Sequence, residues 1–208
     1  MNILKIKIYV LIALTPIPIS GCIGIATTDE SIPTINYHEE PSKYVNRVGH
    51  MFERKEIEYG ARPLNRKDSR AFLLPFPYYS EDNPDNQGKE LFGVDISIIA
   101  KVAGIKFDLS NVVFWKNNEQ KIHPIKIIGL RECLVDDYTI KFKYVDLPTH
   151  PITLKENIAT CVYLFYPTKT PETKTKFHIQ IDGITWNGIS LKLPTINYKR
   201  SHYLVPHI

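Results

Sequence analysis

Between residues 91 and 193 short runs of apolar side chains at alternate positions recur between turn signals, and that period points to strands. Val94, Ile96, Ile98 and Ala100 alternate with Asp95, Ser97, Ile99 and Lys101. Ile105, Phe107 and Leu109 follow, then the β-branched and aromatic run Val112 to Trp115, then Ile122, Ile125, Ile127 and Ile128. Tyr138, Ile140, Phe142 and Tyr144 alternate with Thr139, Lys141 and Lys143, the clearest half-buried pattern in the chain. Ile158 to Tyr166 is apolar on both faces, as in a central strand. Phe177, Ile179 and Ile181 alternate with His178, Gln180 and Asp182. Asn187-Gly188 is a hairpin turn between Ile184-Trp186 and Ile189-Leu193. Turn signals every 8–14 residues or so fit an antiparallel β-sandwich, of which the immunoglobulin-like arrangement is one form. No Trp between suitably spaced Cys argues for an antibody-type domain.

The segments before residue 91 read differently. Residues 22–43, with Thr27, Thr28, Asp29, Glu30, Ser31 and Pro33, have the polar composition of a flexible tether. In residues 44–90 the pattern is irregular or mixed. Tyr44, Val45, Val48, Met51 and Phe52 suit one face of a short helix capped by Ser42, although Gly49 opposes a long one. Arg54, Arg62, Arg66, Lys67 and Arg70 make this the most basic stretch, which reads as a solvated face. Phe76, Tyr78 and Tyr79 flank a polar loop running to Gly88 and form a candidate binding edge, because aromatics give contact area at low entropic cost. The acidic residues of that loop do not follow a calcium-loop spacing.

The N-terminus carries an address. Lys5 and Lys7 precede an apolar core from Ile8 to Leu14, and small residues then precede a cysteine. This is the order of an export signal, and the core is short of the roughly 20 residues of a membrane span. Ile19-Ser20-Gly21-Cys22 resembles the cleavage box of bacterial lipoprotein precursors position by position, with Ile where Leu is commoner. The resemblance covers about the first 22 residues. It implies that residues 1–21 are removed, that Cys22 is lipidated, and that lipid on Cys22 holds the chain to a membrane. Ile23 in place of Asp leans toward the outer membrane, facing the periplasm. The remainder, 44–208, is then a single mainly-β domain on a tether.

The net charge of +4 includes Lys5 and Lys7, too small a balance for a nucleic-acid partner. Cys133 and Cys161 form an even pair in an oxidising compartment. They are read either as a disulfide or as two buried thiols. No cofactor or metal motif is present. There is no G-x-S-x-G, phosphate loop, H-E-x-x-H or CxxC, and no catalytic residue is assigned. His178 and Asp182, four residues apart on one strand face, stand about 13 Å apart and read as a polar outer face. The tail from Tyr198 to Tyr203 is basic and aromatic, as at an anion-binding surface or a lysine-guarded edge.

Pro33-Thr34-Ile35-Asn36-Tyr37 recurs as Pro194-Thr195-Ile196-Asn197-Tyr198. Coincidence is the simpler account. The alternative is that the two copies lie together as terminal strands of one sheet.

These readings describe a lipid-anchored envelope protein that engages a protein partner, of secretion-system, envelope-assembly or toxin-immunity type. The second reading is an envelope glycan-binding protein or peptidoglycan-acting enzyme using the Phe76–Tyr79 region or the His178/Asp182 face.

Overall fold

The structure, a computed structural model, describes residues 23–35, 43–45, 49–74, 78–82, 90–117, 119–133 and 145–207. In chain order the strands are β1 (Ile23–Ile35), β2 (Lys43–Val45), β3 (Gly49–Glu53), β4 (Ile57–Pro63), β5 (Lys67–Leu74), β6 (Tyr78–Asp82), β7 (Phe92–Ala100) and β8 (Ile105–Phe107). After a 3-10 turn at Leu109–Asn111 come β9 (Val112–Lys116), β10 (Lys126–Glu132), β11 (Ile152–Thr153), β12 (Ala159–Tyr166), β13 (Phe177–Ile181), β14 (Ile184–Trp186), β15 (Ile189–Ser190) and β16 (Ile196–His207). One six-stranded sheet has the order β6-β5-β1-β16-β13-β9, and a second has β10-β12-β7-β4-β3-β2. Their strand pairs are antiparallel, and the two sheets form a sandwich-like arrangement. Four short strands, β11-β8-β14-β15, make a third sheet that adds Ile105, Phe107 and Ile184 to the common core.

Aromatic rings join the two layers. Phe92 of β7 lies 4.9 Å from the ring of Phe114 on β9 and 5.8 Å from that of Phe177 on β13. Phe177 stacks on Tyr198 of β16 at 4.5 Å. Two tyrosines tie the sheets reciprocally. Tyr198 of the first sheet donates its hydroxyl to the Ala61 carbonyl on β4, at 2.7 Å. Tyr166 of the second donates to the Val112 carbonyl on β9, at 3.2 Å. Burial pushes both phenols well above their ordinary pKa, so each stays a donor at any ordinary pH.

The strands expected between 91 and 133 and between 158 and 193 are present. Two findings go beyond their alternation. β7 is enclosed on both faces. Asp95 is buried, with Arg62 reaching it at 3.2 Å, and the Ser97 hydroxyl lies 3.3 Å from the Cys161 sulfur. β12 runs between β10 and β7, the central place its two-faced apolar run requires. Asn187 and Gly188 both take positive φ, 50° and 81°, as the hairpin turn demands. The Tyr138–Tyr144 pattern lies outside the described residues.

Two expectations are corrected. Residues 23–35, read as tether, form β1, which pairs with β16 from Gly24 to Ile35 and with β5 from Ile23 to Asp29. Two of its polar side chains are met by β5 and by the β4–β5 connection. Thr28 donates to Asp68 at 2.6 Å, and Ser31 accepts from the Asn65 amide at 2.9 Å. The helix expected near residues 44–52 is replaced by β2 and β3, which pair with each other, and β3 with β4. A side chain at Gly60 on β4 would place its Cβ 2.3 Å from the His50 carbonyl, so that backbone approach requires glycine.

The described residues of the two pentapeptide copies pair with each other on β1 and β16. Pro33 stands opposite Tyr198, Thr34 opposite Asn197 and Ile35 opposite Ile196. Pro33 and Pro206 each sit where their strand has one neighbour, the positions a sheet tolerates for proline. Among the described side chains of β1 and β16, those in the core are Ile35, Ile196 and Tyr198, at one end of the pair. The remainder, with β5 and β6, runs on as a four-stranded wing. Ile23 is twelve strand residues from Ile35, roughly 40 Å at the usual rise.

Candidate functional site

The outer face of the first sheet carries a connected cluster. One rung aligns Trp115 on β9, His178 on β13 and Asn197 on β16. The Trp115 and His178 rings stack, with centroids 5.1 Å apart and planes 24° apart. His178 Nδ1 lies 2.6 Å from Asn197 Oδ1, which fixes the imidazole plane. Lys121 sets its ammonium 5.0 Å from the centre of the Trp115 ring and donates to Gln180 Oε1 at 3.0 Å. Gln180 in turn donates to Asp182 at 3.2 Å. The inward positions of the same strand are Phe177, Ile179 and Ile181, all buried, and this anchoring makes the outer row rigid.

Of the residues singled out from sequence, His178, Gln180 and Asp182 therefore do share a face. Asp182 is linked to Gln180, and His178 turns the other way, to Asn197. Trp115 was hidden inside a run that reads as buried. Only its register opposite His178 reveals it as an outer, half-buried ring. The arrangement offers an aromatic surface beside an amide, a carboxylate and an ammonium, which suits recognition. It holds no nucleophile paired with a base.

Tyr78 and Tyr79 stand on β6, the outer strand of the first sheet, while Phe76 and Cys22 lie outside the described residues. Cys133 and Cys161 are joined as a disulfide, with Cα atoms 5.1 Å apart. The bridge joins the residue just past β10 to β12, the neighbouring strand of the same sheet, unlike the inter-sheet bridge of antibody domains. Beside it Leu130, Glu132, Ile152, Leu154, Ile158 and Thr160 help line a cleft of about 190 Å³, smaller than the ~300–1,000 Å³ of most small-molecule sites. Among the described residues no three His, Cys, Asp or Glu side chains gather as a metal site.

The basic tail is an interior strand, β16, and its guanidinium is engaged. Arg200 grips Asp29 with two bonds, at 2.8 and 3.0 Å, and His202 Nδ1 lies 3.1 Å from the same carboxylate. The Arg200 hydrogen bonds hold the Asp29 carboxyl below its ordinary value of 3.8, against the opposing effect of partial burial. A depressed carboxyl stabilises the fold above the unfolded-state value and loses that contribution as pH falls through its own lower pKa. Asp29→Asn is therefore expected to flatten the loss of stability below about pH 4 and to cost little slope elsewhere. Urea midpoints at pH 6 and in strong acid measure this, and an unchanged acid limb would remove the pair from the account.

No family model, curated protein or solved structure matches this chain.

Proposed function

We propose that the chain is a lipid-anchored lipoprotein of the bacterial cell envelope, held at the outer membrane and facing the periplasm, where its β-sandwich binds a protein partner. The observation that carries the reading is the box Ile19-Ser20-Gly21-Cys22, with a cysteine at the point of signal cleavage. Several acyl chains on one cysteine make a durable anchor, since each buried methylene contributes about 0.8 kcal/mol. The disulfide supports export, because such bridges persist in oxidising compartments. The partner surface is the Trp115–His178 face, where a ring anchor is set among hydrogen-bonding groups on a rigid sheet.

A second reading rests on the same face. A half-buried aromatic ring with an imidazole and an ammonium against it, and amide and carboxylate groups further along the same face, also suits a sugar ring, and then the ligand is an envelope glycan. Trp115→Ala separates a working face from a decorative one. Co-purification from detergent-extracted membranes is expected to give one stoichiometric protein with the natural chain, reduced at least about tenfold in the variant, as for a binding hot spot of 1.4 kcal/mol or more. Retention on insoluble peptidoglycan, lost in the variant, moves the assignment to glycan. Equal yields from both chains remove this face from either reading.

A further inference from the structure

The four strands of the wing end together, and the composition of their rungs changes along it. At the free end Ile23 faces Leu74. The next rung is His207, Gly24, Phe72 and Tyr78, and the third is Pro206, Ile25, Ala71 and Tyr79. These three rungs contain no Asp, Glu, Lys or Arg. The fourth brings Arg70, opposite Ala26 and Ser80. Acidic residues follow only beyond it: Glu81, then Asp68 and Asp82, then Asp29. An apolar and aromatic end, then a cation, then anions, is the order in which a surface meets a bilayer.

We infer that this end of the wing, whose described rungs hold no Asp, Glu, Lys or Arg, seats on the lipid bilayer, with Tyr78 and Tyr79 at the headgroup level beside the acylated cysteine. The inference rests on the lipid-anchor reading and adds a contact surface to it. β1 starts at Ile23, the residue after Cys22, so no spacer separates lipid from sheet. Three rungs span about 10 Å, the depth of the boundary between headgroups and acyl chains. Gly24 and Ile25 are paired on both sides, by β16 and β5, so their backbone tolerates a poorly hydrated setting. Among the described residues no strand pairs with the outer side of β6, which keeps the end at the interface and out of the hydrocarbon. The wing then acts as a stiff stalk in place of a flexible tether. Thr34 shares its rung with Asn197, His178 and Trp115, which places the Trp115 face about 35 Å from the lipid.

Trp115 shares the rung of Thr34, and Trp186 lies on β14, which follows β13 as that strand runs away from the wing, so the two native tryptophans supply an internal reference. The full chain, extracted from the membranes of cells that express it, is reconstituted into phosphatidylethanolamine and phosphatidylglycerol vesicles, with and without brominated acyl chains. The natural chain is expected to float with the vesicles and to keep its tryptophan emission in brominated lipid. Tyr79→Trp is expected to add a blue-shifted emission that brominated lipid largely removes, and Tyr78→Trp serves as a second reporter on the same strand. If both variants float with the vesicles and their added emission resists bromine, the seating is overturned and the anchor stands. If the natural chain fails to float, the anchor reading falls and the seating with it.

Discussion

Phe92→Ala is expected to destabilise the fold by about 3–5 kcal/mol, the range for emptying a large aromatic site in a packed core. Phe92 is fully buried on the central strand β7 and touches rings from both sheets, Phe114 and Phe177 on one side and Tyr166, at 6.1 Å, within its own. Those neighbours are fixed independently. Tyr166 is bonded to the Val112 carbonyl, and Phe177 is stacked on Tyr198, itself bonded to Ala61. They cannot collapse into the space without breaking inter-sheet bonds, so the cost falls at the upper part of the range. Equilibrium unfolding in urea measures it as a lower midpoint at constant slope. Ile189→Ala, at a side chain 69% exposed on the β14–β15 hairpin, is the control and is expected to change stability by less than about 0.5 kcal/mol. Similar effects from the two substitutions would contradict the placement of the core.

The second large effect belongs to the disulfide. Cys133 and Cys161 close a loop with a sequence separation of 28, and chain-entropy arguments give about 3–4 kcal/mol for that length. The Cys133→Ala/Cys161→Ala double variant is expected to lose about that much. The two sulfurs are packed in a small cluster with Met51 and Ala159, so alanine also leaves space behind. Thiol titration in denaturant decides the matter before any variant is made. The bridged chain shows no reactive Cys133 or Cys161 until a reductant is added. Two titrating thiols in the unreduced protein would contradict the bridge.

Much of the sandwich was legible because half-buried strands write their two faces into alternate residues. β13 is the plain case, with Phe177, Ile179 and Ile181 buried and His178 and Gln180 outward. β1 was not legible for the converse reason. It is paired with β16 along its length and with β5 up to Asp29, while its described side chains from Ala26 to Thr34 lie outside the apolar cluster that takes in Ile35, so pairing decides their conformation and composition does not. The partner, β16, lies more than 160 residues away in sequence. The one trace of that pairing was the repeated Pro-Thr-Ile-Asn-Tyr, for which coincidence was the simpler account. The β2–β3 pair was misread because apolar residues spaced for a helix face also suit two very short strands, with Tyr44 and Val45 on β2 and Met51 and Phe52 on β3.

The candidate face was half legible. The period-two row His178, Gln180, Asp182 located its middle strand. Trp115, Lys121 and Asn197 come from three other places in the chain, and only sheet register brings them together. The edge aromatics Tyr78 and Tyr79 were picked out for their chemistry, but their level beside Ile23–Ile25 is a property of the β5–β6 and β1–β5 registers.

The account turns on Cys22, and one measurement addresses it most directly: the intact mass of the mature chain extracted from its own membranes. The account predicts a chain that begins at Cys22 and carries the added mass of a diacylglyceryl group, with or without a further amide-linked acyl chain. Cys22→Ser is predicted to abolish both the cleavage and the added mass. A membrane-extracted chain that begins elsewhere, or that carries an unmodified Cys22, would contradict the anchor.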